Sequence, residues 1–188
     1  LLPCLDSHDT VAVGAARWRM SRDRAAKLGQ TAVEATERGW YLDRSGHKVD
    51  WSAEVARAAA AKRSIPPDEP LPAWEQRGVE TRVQVLNQST LRAARRLVDQ
   101  GARPLALNFA NGIHPGGGFL HGSRAQEEEL CRSSALYLTL RDDPMYDYHA
   151  QRPEPDSTDW AIYSPNVPVF RNDDGSELER PWLLSFIT

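Results

Sequence analysis

The sequence predicts an α/β fold, and three observations carry that prediction. The strand-like run "TRVQVLNQ" leads into the helix-like "STLRAARRLVDQG" and then into a second strand-like run, "RPLALNFAN". Strand, helix and strand joined by short links make a parallel pair with a right-handed crossover. A glycine-rich loop, "HPGGGF", follows the second strand at once, so it falls at the carboxyl end of a strand, where sheets of this class hold ligands. Two further apolar strand-like runs, "WAIYSPNVPVFRN" and "WLLSFIT", come later.

The N-terminal third reads as helical. From Met20 to Arg38, Ala25, Leu28, Ala32 and Ala35 recur at helical spacing, with Ser21 as N-cap and Gly39 as stop. "LDRSGHKVDWS" forms a turn or hairpin bending at Ser45-Gly46, and Ser52 caps a second helix over "AEVARAAAAKR". "SIPPDEPLPAWEQRG" holds four prolines, which rules out a regular helix or a central strand and predicts an extended surface connector. In the next unit Val83 and Val85 alternate with polar residues as a strand requires. Ser89 or Thr90 caps the following helix; Leu91, Ala94, Leu97 and Val98 form one face, and Gly101 ends it.

After the glycines, Ser123 and Gln126 are spaced as a capping box for another helix, whose Leu130, Ser134 and Leu138 share a face beside Cys131 and Ala135. "RDDPMYDYHAQRPEPDSTD" reads as a polar loop. Pro165 and Pro168 make the next run an edge or broken strand, with Tyr163 and Phe170 as core aromatics. A turn falls near Asp174-Gly175, and "WLLSFIT" is an apolar strand of buried type. The domain boundaries expected are an N-terminal helical extension with its connector over 1–78 and a catalytic core over 79–188.

The 188 residues suffice for one domain with a proper core. With 26% charged and 40% hydrophobic residues the chain is an ordinary globular one. A net charge of −3 argues against a general nucleic-acid binder, which carries a basic stripe. No apolar run approaches a membrane span, and "LLPCLDSHDT" has no basic n-region or long apolar region, so it is not a secretory signal. Without an initiator Met the chain is expected to begin inside a longer one. Two distant cysteines, Cys4 and Cys131, suggest no disulfide framework and fit a reducing compartment, hence a cytoplasmic location. Cys131 reads as a small core residue. His114 and His121 lack metal-ligand spacing and a Cys partner, so neither metal nor cofactor is expected.

"HPGGGFLHGSRAQEEEL" concentrates the chemistry. Three glycines in a row imply that something lies against bare backbone; consecutive N–H groups form an anion nest, so a phosphate is one candidate and a mobile loop the other. Glu127, Glu128 and Glu129 occupy the first turns of a helix, where carboxylates are favoured electrostatically. Successive residues turn by about 100°, so at most two can lean into one pocket. A carboxylate buried there, beside like charge, would keep its proton near neutral pH, as protonation of a glycosidic leaving group requires.

With seven residues between its blocks, "GGGFLHGSRAQEE" matches the G-G-G-x(6–8)-Q-E-E signature of poly(ADP-ribose) glycohydrolases. "LNFANGIHPGGGFLHGSRAQEEELCRSSALYLTL", "YSPNVPVFRNDDG" and "SFIT" resemble the bacterial and fungal type of that family, and the likeness extends loosely from Met20 to Thr188. The resemblance implies a macrodomain-like mixed sheet flanked by helices, behind a helical N-terminal extension. It implies binding of ADP-ribose and hydrolysis of the ribose–ribose O-glycosidic bonds of poly(ADP-ribose), in exo fashion. By position Glu128 would be the general acid and then base, while Glu127 would hold ribose hydroxyls. Asn111 would contact the distal ribose, Gly116, Gly117 and Gly118 would approach the diphosphate and ribose, and Phe119 joins the substrate-binding set. Gln126 would support the glutamates or the adjacent loop. No second catalytic carboxylate and no metal is implied; substrate phosphate would help stabilise the cationic transition state. An ADP-ribose reader without turnover and a mono-ADP-ribosyl hydrolase remain open alternatives.

The family's domain continues past the "SFIT" strand, with a further glycine-rich loop and aromatics near the nucleotide. The resemblance therefore implies an incomplete pocket and an exposed apolar strand over Trp182–Ile187, the chain being either a fragment that a second polypeptide segment completes or a truncated domain. Alone, the chain is expected to be poorly soluble or inactive.

Overall fold

The computed structural model describes residues 20–71, 73, 78, 80–154 and 156–188; Cys4 and part of the proline-rich connector lie outside them. Helix α1 (Arg22–Arg38) opens the fold: Ser21 Oγ accepts the Arg24 N–H, and Gly39 at φ 75° donates its N–H to Ala35. Its Ala25, Gly29, Ala32 and Ala35 face is buried. Strands β1 (Trp40–Leu42) and β2 (Lys48–Asp50) form a hairpin whose bend is held by Asp43, which accepts the Ser45 and His47 N–H groups.

Helix α2 (Ser52–Ala61) starts differently from expectation. Ser52 is its first helical residue rather than its cap, because Asp50 lies one step outside and takes both the N–H and the hydroxyl of Ser52, at 3.0 and 2.7 Å. Strand β3 (Arg63–Ile65) then pairs antiparallel with β5 (Ala161–Arg171), so the connector begins as an edge strand before its first proline.

The main sheet is mixed, in the order β3-β5-β6-β4, with β4 (Leu105–Leu107) parallel to β6 (Glu177–Ile187) and the other pairs antiparallel. Here the expected strand–helix–strand unit fails. Residues 81–85 form no strand, Val83 and Val85 are 68% and 62% exposed, and the parallel partner of β4 is β6, with Leu105 opposite Ser185. Alternating side chains satisfy only half of what a strand needs; the other half is a ladder partner, and that comes from a distant part of the chain.

The prolines of β5 behave as expected. β3 covers only Ala161–Tyr163, the register shifts between Ser164 and Val167, and Asn166 takes φ 51°. Beyond that bulge Pro168 still pairs with Leu183 of β6 and accepts the Ala135 N–H. The exposed strand expected over Trp182–Ile187 is not found: β6 lies between β5 and β4, and Trp182, Leu184 and Phe186 are buried. Within that stretch only Leu183 is an exposed apolar side chain, and a denser exposed apolar set lies on β4 and just after it, at Leu105, Leu107 and Phe109.

Helix α3 (Thr90–Asp99) is capped by Ser89, whose Oγ accepts the Arg92 N–H. Helix α4 (Gln126–Ser133) ends earlier than periodicity predicts. Ser134 turns extended, bonds back to Leu130, and bridges to Val169 of the sheet, and α5 (Leu136–Leu140) follows it. The presumed loop after Arg141 contains α6 (Pro144–Ala150), with Asp143 as N-cap and Pro144 in the first turn, a start pattern that was readable.

One hydrophobic core joins these parts. Tyr41, Trp51 and Phe170 pack with ring centroids 4.6–5.3 Å apart, and Trp51 Nε1 donates to Ala35 O. Buried Arg171 donates to Leu28 O, Thr31 Oγ1 and Arg132 O and pairs with Glu177, linking α1, α4 and the β5–β6 hairpin. At Gly29 a side chain would meet Phe119 O at 2.6 Å, so α1 lies directly against the segment that follows the three glycines.

Candidate active site

The site forms where the loop after β4 folds onto the start of α4. Helix α4 begins at Gln126, with Ala125 as N-cap and no side-chain cap. The expected Ser123–Gln126 capping box is therefore absent, because Gln126 is already helical and its amide is used elsewhere. Its Oε1 accepts the Phe109 N–H at 2.9 Å, and its Nε2 donates to Leu107 O at 2.7 Å and Thr90 Oγ1 at 3.2 Å. Gln126 thus splices the end of β4 to the starts of α4 and α3.

The next two residues grip the loop. Glu127, 3% exposed, accepts from Asn111 N–H through Oε2 at 2.8 Å, and through Oε1 from Gly116 N–H at 3.1 Å and Asn108 Nδ2 at 3.5 Å. Glu128, 9% exposed, accepts from Gly118 N–H through Oε1 at 3.1 Å, while its Oε2 has no hydrogen-bond partner among the described residues. Glu129 is buried as well. Two neighbouring carboxylates thus lean into the loop, one clamped on both oxygens and one on a single oxygen.

The three glycines serve this grip. Gly117 takes φ 55°, its N–H donates to His114 O, and a Cβ there would lie 2.5 Å from Glu128 Oε1 and 3.1 Å from Glu127 Oε2. The bare backbone expected to face a phosphate faces the protein's own carboxylates, and the Gly116 and Gly118 amides are engaged by them.

Asn111 presents its backbone N–H to Glu127 and uses Oδ1 to accept the Ile113 and His114 N–H groups. Phe119, placed in the substrate-binding set, is 1% exposed and packs against Tyr137 with ring centroids 4.8 Å apart; its ring props the loop from beneath and offers no face to a ligand. Sequence reasoning missed Asn108, buried at the end of β4 beside Glu127; the signal was a polar residue closing an apolar strand. It also missed His149, which contacts Gly112 O and Thr158 Oγ1 and so holds the loop at Gly112.

Burial raises the Glu127 pKa above the usual carboxylate range, with the neighbouring Glu128 charge adding to it and the Asn111, Asn108 and Gly116 donors opposing it. Burial also pushes up the Cys131 thiol, helped by Glu127 and Glu128, which keeps it a protonated core residue. Among the described residues no group of three or more His, Cys, Asp or Glu is placed to hold a metal ion.

A carboxyl group anchored through one oxygen with the other left over can give and take a proton; its clamped neighbour can fix a hydroxyl-rich ligand. The family described as microbial-type PARG, catalytic domain, matches residues 29–172, which include the loop and both glutamates. The chain belongs to this microbial-type PARG family. Its fold is correspondingly close to solved members. Poly(ADP-ribose) glycohydrolase from Thermomonospora curvata superposes with a TM-score of 0.81 at 42% identity, over 87% of this chain and 62% of that one. The same enzyme bound to the inhibitor ADP-HPD gives 0.79 at 42% identity, over 87% and 61%. The Deinococcus radiodurans enzyme in complex with ADP-ribose gives 0.63 at 34% identity, over 74% and 59%. The chain thus spans about three fifths of these family members. No curated protein matches it. The likeness to PARG structures makes the mixed, helix-flanked sheet a macrodomain-like one. Among the described residues no helix is long and apolar enough to cross a membrane.

Proposed function

We propose that the chain carries the catalytic centre of a poly(ADP-ribose) glycohydrolase, hydrolysing ribose–ribose O-glycosidic bonds and releasing ADP-ribose from the polymer end. Family membership and the ADP-ribose and inhibitor complexes of its structural relatives support the substrate class. The observation that carries the residue assignment is the asymmetry of the glutamates: Gly118 fixes one oxygen of Glu128, and Oε2 has no hydrogen-bond partner among the described residues.

In this reading protonated Glu128 Oε2 donates to the leaving ribose oxygen as the anomeric C–O bond breaks. An oxocarbenium-like sugar forms, stabilised by nearby substrate phosphate. Water then attacks the anomeric carbon and returns its proton to Glu128, restoring the acid. Most glycosidases use two catalytic carboxylates; here Glu127 is an orienting group for ribose hydroxyls. Asn111 and the backbone at Gly116, Gly117 and Gly118 line the ribose and diphosphate side, and Gln126 and Phe119 support them. Residues 79–188 form the catalytic core in this reading, 1–78 the extension that buttresses it, and a further polypeptide segment completes the nucleotide pocket. The working location is cytoplasmic.

Glu128→Gln tests the assignment, in the chain together with the segment that completes it. It should lower ADP-ribose release from automodified polymerase by about 10²–10⁴-fold and leave ADP-ribose binding in place. Unchanged cleavage would remove Glu128 from the mechanism. Wild type that binds ADP-ribose and releases none is a reader, and label lost faster from a mono-ADP-ribosylated acceptor makes it a mono-ADP-ribosyl hydrolase.

A further inference from the structure

A second concave surface lies away from the glutamates, between α3 and the β5–β6 hairpin. Two adjoining clefts of about 690 and 420 Å³ share Arg95, Asn172 and Trp182 and form one groove. Small-ligand pockets measure about 300–1,000 Å³, so each part has room for a nucleotide-sized group. Arg92, Arg95 and Arg96 stand at i, i+3 and i+4 on α3 and line one wall. Arg44 and Arg180 line the other end, with Trp182 between.

The groove's charges are unevenly engaged. Two of its acids are ion-paired, Asp99 with Arg95 and Glu177 with Arg171, while Asp173 and Asp174 accept from the neutral Ser89 and Ser176 and keep their charge. Glu179 is the remaining acid in the wall. Among the described residues Arg44, Arg92, Arg96 and Arg180 form no ion pair, and Arg96 Nε is buried without a hydrogen-bond partner. The Arg95 guanidinium, paired with Asp99, lies 5.6 Å from the centroid of the Trp182 ring, within cation–π reach.

Guanidinium groups interleaved with an aromatic ring suit a ligand that alternates planar bases with phosphates. Position favours one such ligand. Helix α3 starts at Thr90, whose hydroxyl accepts from Gln126, the residue next to Glu127. Ten residues of helix, about 15 Å, therefore lead from the glutamates along the groove wall. We propose that this groove binds a further ADP-ribose unit of the polymer whose end occupies the glutamate site, its adenine on the exposed Arg95 guanidinium that Trp182 backs and its diphosphate between Arg92 and Arg96. The proposal rests on the polymer reading of the glutamate site.

The test uses Glu128→Gln, which keeps the polymer intact, with and without Arg92→Glu/Arg96→Glu. Arg92 is exposed and Arg96 half-buried on α3, and circular dichroism checks folding. Titration with fluorescent poly(ADP-ribose) should show affinity weakened about ten-fold or more and a shallower salt dependence, while ADP-ribose monomer binds as before. Trp182→Phe, which keeps a ring of smaller area, should weaken polymer binding less. Equal polymer affinity with and without the charge reversal, or equal losses for polymer and monomer, would overturn the groove. So would poly(A) competing as well as the polymer, since the surface would then serve any single strand. Polymer cleavage by Glu128→Gln would instead fall on the reading of the glutamates.

Discussion

The loop–α4 corner and the β4 edge are neighbours of opposite character. At the corner the amides of Asn111, Gly116, Gly117 and Gly118 all have acceptors, and two carboxylates are drawn below the surface to provide three of them. A few residues away Leu105, Leu107 and Phe109 stand in solvent, and residues 81–85 join no strand. The carboxylate–amide bonds of the corner span no more than 16 residues of sequence, with His149 and α1 packed around them. The edge depends on pairing and covering from elsewhere. The carboxylate corner is thus held by short-range bonds, while the β4 edge leaves apolar side chains in solvent.

The sharpest way to break the contrast is to fill the corner. Gly117→Ala puts a methyl 2.5 Å from Glu128 Oε1, at a φ that costs an L-residue about 1–2 kcal/mol. Displaced by even 1 Å, the carboxylates should lose about 10²-fold in ADP-ribose release, read from initial rates. Gln126→Ala removes the bonds to Phe109, Leu107 and Thr90; denaturant melts should show about 1–3 kcal/mol lost, with the edge loosening first in hydrogen exchange.

Titration sharpens the comparison further. Because burial raises the Glu127 pKa, the folded chain holds that proton more tightly than the unfolded chain. The resulting stability is full below the ordinary glutamate pKa and is lost as pH rises through the folded value. Glu127→Gln cannot ionise, so the wild-type melting temperature should fall relative to the variant's over that rise. A parallel pair of curves would mean the carboxyl is not so confined. The smallest effect belongs to the edge: Phe109→Ser, at a side chain 70% exposed, should shift stability by no more than about 0.5 kcal/mol while reducing self-association in light scattering.

The same division governs what could be read from residues alone. The Ser21 and Gly39 ends of α1, the Ser89 cap of α3 and the β5–β6 turn are short-range events and were legible. The pairing of glutamates with glycines was legible as a motif; that the glycines serve the carboxylates directly was not, since it depends on how the loop folds back. Ser123 and Ser52 have the right identity and spacing for caps, yet Ala125 and Trp51 hold those positions because neighbouring contacts set where each helix begins. The parallel β4–β6 pair joins distant segments, which no local period encodes. Asn108 reads in the sequence as one more strand residue, and its place beside Glu127 is set by the fold.

Arg171 has a consequence for how such a chain can change over time. Its planar fork spends its donors on three elements at once, α1 near the N-terminus and α4 and β6 far along the chain. A lysine, with one compact ammonium, could not reach them all. Shedding the first helix would take away Leu28 O and Thr31 Oγ1 and open that side of the guanidinium to water, leaving it Glu177 and Arg132 O.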